Sequence, residues 1–120
     1  EAGAIFLAGT SIGNPSIVAE KRNAKSGNLV WSKTVPGTQK SLYAVDGKLT
    51  PDGNWVVGGQ DGINRLFSHR YALVKFSSAN GGVIWQQFYQ YKTTDNALQR
   101  LAVDGSGHVY GFGTAWLTAT

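Results

Sequence analysis

Apolar and polar residues alternate with a period of two over short stretches, and the stretches recur. "GAIFLAGT" (Gly3 to Thr10), "GNWVVGGQ" (Gly53 to Gln60) and "GHVYGFGT" (Gly107 to Thr114) each run from glycine through alternating apolar residues to glycine. That is the pattern of a strand of about five residues entered and left through turns. After a polar loop the first two are followed by a second strand, "SIVAEKRN" from Ser16 and "YALVKFSS" from Tyr71, in which Lys21 and Lys75 hold the same place. A glycine turn then leads into a tryptophan strand, "SGNLVWSK" and "NGGVIWQQ". Trp31 and Trp85 are about 54 positions apart, a period that marks a structural repeat.

A last segment closes each unit on an Asp-Gly turn, "KLTPDGN" and "RLAVDGSG". The pattern predicts four short antiparallel strands per unit, with hairpin turns at Ser26-Gly27, Gly81-Gly82, Asp52-Gly53 and Asp104-Gly105. Helix has little foothold. "DNALQRLAV" from Asp95 has a helical start, but its counterpart "QKSLYAVDGKL" is broken by Gly47, so both are expected to be fourth strands. The fold class is therefore all-β: two four-stranded antiparallel blade-like repeats, at residues 3–52 and 53–106, and the first strand of a third at 107–120, in a single domain.

These residues carry a resemblance. "NAKSGNLVW" and "SSANGGVIW" are similar to the tryptophan-docking repeat of PQQ-like, quinoprotein-type β-propeller blades. Taken with "AVDGSGHVYGFGT", they more closely resemble the bacterial β-propeller repeat. The likeness covers nearly the whole chain and specifies a blade, not an activity. An Asp stands eight residues before the tryptophan in the family pattern; here Asn23 and Ser77 take its place, which predicts a weakened or lost hydrogen bond to the turn. A four-stranded sheet cannot cover both its faces alone and stacks on a copy of itself. Trp31 and Trp85, with Gly27 and Gly81 in the turns before them, are then expected to dock one blade on the next, each indole burying roughly 150 to 250 Å².

A propeller closes with about four to eight blades, and two units do not close one. Three outcomes follow: a piece of a longer propeller, a ring built from copies of this chain, or a compact sandwich of the two units. "GHVYGFGT" repeats the strand that opens each unit, so it is suited to completing a sheet in a neighbouring chain.

Composition narrows the chemistry. The 120 residues contain no cysteine and no methionine; thiolate sites and disulfides are excluded, and a processed or excised chain is expected. Charged residues are only 15%, against an ordinary ~25%. The net charge of +4 is scattered apart from Lys21, Arg22 and Lys25, which falls short of a nucleic-acid footprint. No apolar run approaches the roughly 20 residues that insert into a bilayer, and "EAGAIFLAGTS" lacks the positive lead of a signal peptide.

No catalytic constellation emerges. His69 and His108 read as loop histidines, and Asp46, Asp52, Asp61 and Asp104 all precede glycine, where a carboxylate accepts bonds from turn amides. "DGSG" lacks the spaced ligands and closing Glu of a calcium loop, "GFGTAW" is no dinucleotide fingerprint, and Pro15 bars Asn14 from glycosylation. No metal or cofactor is implied. The stretch "GQDGINRLFSHRY" is long for a hairpin loop and offers Gln60, Asp61, Asn64, Arg65, His69 and Arg70 as binding residues. Trp55, Phe67 and Trp116 are candidate aromatic platforms for a sugar.

The leading expectation is a non-catalytic binding or assembly scaffold whose partners are other protein chains or copies of itself. The resemblance implies a location outside the cytoplasm. Two alternatives are a lectin-like carbohydrate-binding module completed by oligomerisation and a piece of a PQQ-dependent enzyme whose cofactor would sit on the axis of the full ring.

Overall fold

A computed structural model describes residues 3–37, 41–64, 68–90 and 96–115, with the backbone alone at 63, 64 and 68. These residues form nine strands in three antiparallel sheets. Sheet I contains β1 (Ala4–Thr10), β2 (Ser16–Asn23) and β3 (Leu29–Pro36). Sheet II contains β4 (Leu42–Leu49), β5 (Trp55–Asn64), β6 (Ser68–Phe76) and β7 (Val83–Tyr89), and sheet III contains β8 (Asn96–Val103) and β9 (Val109–Ala115). The all-β expectation holds, and the stretch with a helical start in its sequence forms strand β8.

Hydrogen bonding groups the strands differently from the sequence repeat. β4 pairs with β5 and β8 with β9, so the segment read as the end of each unit opens the next sheet. The cause is local. β4 and β5 are joined by a tight turn closed by Thr50 N–H to Asn54 O at 2.9 Å, whereas β3 runs out at Pro36, which has no N–H to continue a ladder. The second such turn is also shifted: the left-handed residue after β8 is Gly107, not Gly105.

The sheets stack front to back. The front of sheet I (Phe6, Ile17, Ala19, Trp31, Val35) meets the back of sheet II (Trp55, Val57, Ala72, Val74, Phe76) in one core. The front of sheet II (Val56, Tyr71, Leu73, Trp85) meets Leu98, Leu101 and Val109 of sheet III in a second. This explains the unbroken "WVV" of β5: a strand covered on both faces has no polar side to alternate with. Between sheets, β4 lies against β1, β2 and β8, and β8 against β4, β5 and β6.

One bulge is repeated. The register slips at Lys21/Arg22 opposite Trp31 and Leu29, and again at Lys75/Phe76 opposite Trp85 and Val83. Each slip leaves one residue of the tryptophan strand without an opposite partner, Val30 or Ile84, and both are exposed. Such a bulge adds local twist and re-aims side chains, here beside each tryptophan.

Trp31 docks as its pattern predicts. Its indole Nε1 donates to Ser78 O at 2.9 Å, its ring stacks on Phe76 with centroids 6.4 Å apart, and only 8% of it is exposed. It lies on Gly81 in the β6–β7 turn, where an added Cβ would come within 2.6 Å of the ring. Trp85 differs: it is half-buried at the margin of the second core. Trp31→Ala is therefore expected to cost about 3–5 kcal/mol and Trp85→Ala under about 2 kcal/mol, measured by urea unfolding. Gly27 and Gly81 share a left-handed φ (74° and 77°), but space around Gly27 is open. Gly81→Ala should thus destabilise clearly more than Gly27→Ala; equal losses would remove the docking contact as the cause.

Candidate functional site

The expected binding loop at residues 60–70 is mostly not a loop. Gln60 pairs with Tyr71, Asp61 with Arg70, Gly62 with His69 and Asn64 with Ser68, so the β5–β6 ladder runs far beyond the predicted strand ends. Asp61 is wholly buried, and its Oδ2 accepts from Arg70 Nε at 3.0 Å. The Arg70 guanidinium also lies 4.0 Å from the centre of the Phe88 ring, a stacked cation. These two residues thus belong to a buried ion pair of the hairpin, in a place where loss of one partner leaves a costly charge. His69 is part of β6, and its carbonyl accepts from Asn96 Nδ2 at 3.0 Å. Gln60 is half-buried beside them. Arg65, Phe67, Trp116 and the Asn64 side chain lie outside the described residues.

Trp55 is corrected as a sugar platform. It is 9% exposed, stacks on Phe6 at 5.5 Å, and its other contacts include Gly47, whose added Cβ would come within 2.4 Å of the ring. So little of the ring is exposed that a sugar could not stack on its face. Its Nε1 is buried without a hydrogen-bond partner among the described residues, which costs about 1–3 kcal/mol that the packing around it must offset.

The acids mostly serve backbone amides. Asp46 lies within β4, beside a bulge, and not in a turn. Its Oδ1 accepts from Gly47 N–H at 2.9 Å and its Oδ2 from Leu101 N–H at 2.8 Å, linking sheets II and III. Asp52 accepts from Asn54 N–H at 3.1 Å, from the Thr50 hydroxyl, and from Lys75 Nζ at 2.7 Å. Asp104 Oδ1 accepts from the Ser106 and His108 amides, each at 2.9 Å, while its Oδ2 meets the Tyr110 hydroxyl and His108 Nδ1, each at 3.0 Å. The loss expected at Asn23 does not occur: its Oδ1 accepts from the Lys25 and Ser26 amides at 2.9 and 3.1 Å. Ser77 Oγ does a weaker version, with Ala79 N–H at 3.3 Å. Among the described residues no three His, Asp or Glu side chains converge as a metal would require.

The part of the surface built from both repeat and packing is the end of the stack. Among the described residues sheet III has two strands where sheet II has four. Beside the free edge of β9 a groove of ≈ 250 Å³ is lined by Tyr71, Leu73, Gln87, Phe88, Tyr89, Leu98 and Gly111. The Tyr71 hydroxyl donates to Thr114 O at 3.2 Å across it, and burial raises this phenol's pKa. Trp85 is on the same front face, with no hydrogen bond to its indole N–H among the described residues. At the opposite end β1 is an edge strand among the described residues, and Ile5, Leu7 and Val30 are exposed.

The repeat signal named the tryptophans and the lysines but missed their partners. Lys21 Nζ and Trp31 Nε1 both reach Ser78 O, at 3.1 and 2.9 Å, and Ser78 N–H is held by Asn54 Oδ1 at 3.0 Å. The β6–β7 turn therefore has two roles, entry to its own tryptophan strand and seat for Trp31 of the previous one. Comparison with family models, with curated proteins and with solved structures finds no match to this chain.

The turn carboxylates make stability depend on acid. Asp104 is pushed down to about 2 from 3.8, chiefly by the His108 amide, against some loss of hydration, and further by the Tyr110 hydroxyl, the His108 ring and the Ser106 amide. Lys75 first, then the Thr50 hydroxyl and the Asn54 amide, hold Asp52 well below the usual carboxylate range. Both groups bind a proton less readily folded than unfolded, so their stabilisation is full above pH 3.8 and is lost as pH falls through the folded values. The urea midpoint should be flat between about pH 7 and 5 and fall below about pH 4. In the Asp52→Asn, Asp104→Asn double variant that fall should be shallower; an unchanged slope would place the acid sensitivity elsewhere.

Proposed function

We propose that the chain is a non-catalytic repeat module of the β-propeller type that serves as a binding and assembly scaffold, with copies of itself as the first partner. The observation that carries this reading is the stack itself. Its sheets meet front to back, so a face of one kind is left at one end and a face of the complementary kind at the other. Interfaces of this head-to-tail type extend into rings or filaments instead of closing as two-fold dimers. Among the described residues β1 and β9 are edge strands, flanked by exposed Ile5 and Leu7 on one and Tyr110 and Phe112 on the other, the setting in which strands of another chain add to a sheet.

Light scattering during size exclusion, over a wide range of concentration, tests the reading. The expected result is a mass above one chain that rises with concentration and levels off if a ring closes. One chain mass at every concentration would overturn it.

A further inference from the structure

The chain holds five dipeptides in which a carboxyl or amide side chain precedes glycine: Asp46–Gly47, Asp52–Gly53, Asp61–Gly62, Asn80–Gly81 and Asp104–Gly105. In such a pair the glycine nitrogen can close on the side-chain carbonyl carbon of the residue before it, forming a five-membered succinimide. Glycine favours the closure, because no side chain hinders its nitrogen and its backbone reaches the ring geometry readily. By sequence alone Asn80 reacts first, since an amide gives up ammonia more readily than a carboxyl group gives up water.

The structure ranks the five differently. Gly81 N–H donates to Ser77 O at 2.8 Å, and Asn80 Oδ1 is turned past it to the Gly82 N–H, also at 2.8 Å. Gly53 N–H is held by Thr50 O at 2.9 Å and Gly62 N–H by Ser41 O at 3.0 Å. Asp104 Oδ1 likewise reaches beyond its own glycine, to the amides of Ser106 and His108. Asp46 differs from all four. Its Oδ1 lies 2.9 Å from the nitrogen of Gly47, and groups in contact at about 3–3.5 Å are in a near-attack arrangement. Its Oδ2 accepts from Leu101 N–H at 2.8 Å, which keeps the carboxyl group in that orientation. The bulge between Ala44 and Asp46 interrupts the regular ladder beside the pair. Water has a way in: a cleft of ≈ 250 Å³ between β1 and β4 is lined by Phe6, Leu7, Asp46, Gly47 and Trp55, among others.

We propose that Asp46–Gly47 is a self-modification site, at which the folded chain forms a succinimide and from it isoaspartate. Gly47 N bonds to Asp46 Cγ, and Oδ1 leaves as water with the proton from that nitrogen and one from solvent. The existing hydrogen bond already aims the first of these protons at the departing oxygen. Oδ2 stays as the ring carbonyl, and the Leu101 amide stabilises the charge that develops on it. Water from the cleft then opens the ring. Attack at Cγ restores aspartate, whereas attack at the main-chain carbonyl carbon of Asp46 leaves the chain running through the side chain. That isoaspartate form adds one carbon to β4 opposite Gly58 and replaces the carboxylate held by Leu101 with a neutral carbonyl. It also shifts Gly47 against the Trp55 ring, which a Cβ on Gly47 would approach within 2.4 Å. The link between sheets II and III is thus weakened with age.

The test follows each site through its own peptide. Full-length protein is aged in water enriched in oxygen-18, folded in one sample and unfolded by urea in the other, with circular dichroism confirming each state. Hydrolysis of a succinimide takes one oxygen from solvent, so the label records the reaction whichever product forms. Trypsin, which cuts after lysine and arginine, separates residues 41–48 with Asp46 from 49–65 with Asp52 and Asp61, 76–92 with Asn80, and 101–120 with Asp104. In urea the label should enter 76–92 first. In the folded chain it should enter 41–48 first, with the other three peptides slowed at least tenfold relative to urea, and isoaspartate should appear as a second chromatographic peak of 41–48. Another peptide labelled first in the folded chain, or the same order in both samples, overturns the assignment. The reaction needs one chain only, so neither outcome depends on the scaffold reading.

Discussion

The indole of Trp31 is the interaction on which the rest of the arrangement depends. A single side chain crosses from sheet I to sheet II, gives its N–H to the Ser78 carbonyl and spreads over Gly81 and Phe76. Burying roughly 150–250 Å² of ring is worth about 4–6 kcal/mol at most, a large part of the margin by which a small domain is stable. The hydrogen bond fixes the ring's position, and the apolar contact supplies the stabilisation. A bulge sets the tryptophan's direction, a left-handed glycine clears its seat, and Lys21 shares its acceptor while lying over Phe6 at 5.7 Å. Each of these devices would be a defect in an isolated hairpin.

Charge is used the same way, to hold backbone. A chain with few charged residues spends three of its carboxylates on amides: Asp52 and Asp104 inside hairpin turns and Asp46 across to Leu101 of the next sheet. Lys75 with the turn donors around Asp52, and the His108 and Ser106 amides around Asp104, tie these two carboxylates to their ionised forms. Asp61 is further removed, enclosed with Arg70 beneath Phe88. The acids whose positions beside glycine drew notice in the sequence are thus accounted for by folding.

Much of the fold was legible because its signals are local. Strand alternation, glycine turns and the recurrence of Trp31 and Trp85 give nine strands nearly where they form, and the docking of Trp31 follows from its place in the repeat. What escaped depends on partners distant in sequence. The repeat cannot say where a sheet is cut, since β4 reads equally well after β3 or before β5, and only the tight turn at Thr50 to Asn54 decides it. The stretch at residues 60–70 looked like a loop because polar residues and glycine dominate it. In its described part the backbone pairs across the hairpin and Asp61 meets Arg70, information that resides in the facing strand. Trp55 looked available for the same reason: nothing local shows that Phe6 covers it. Asn23 shows the reverse error, since an amide oxygen accepts turn hydrogen bonds as a carboxylate oxygen does.

The same contact exists in this molecule in a closed and an open form, and the difference between them is chemical. Behind the Gly81 seat the back of sheet II presents Val74 and Phe76, both fully buried. The register places Glu20 and Arg22 at the matching positions behind Gly27, and their ion pair is partly exposed. Covering valine and phenylalanine releases ordered water at no electrostatic cost, so that seat fills permanently during folding. Covering a glutamate and an arginine removes their hydration, which their ion pair only partly repays. A surface of that kind is stable when bare and still carries the shape of the seat. Two residues in one strand thus separate an interface that builds the fold from a face that tolerates water.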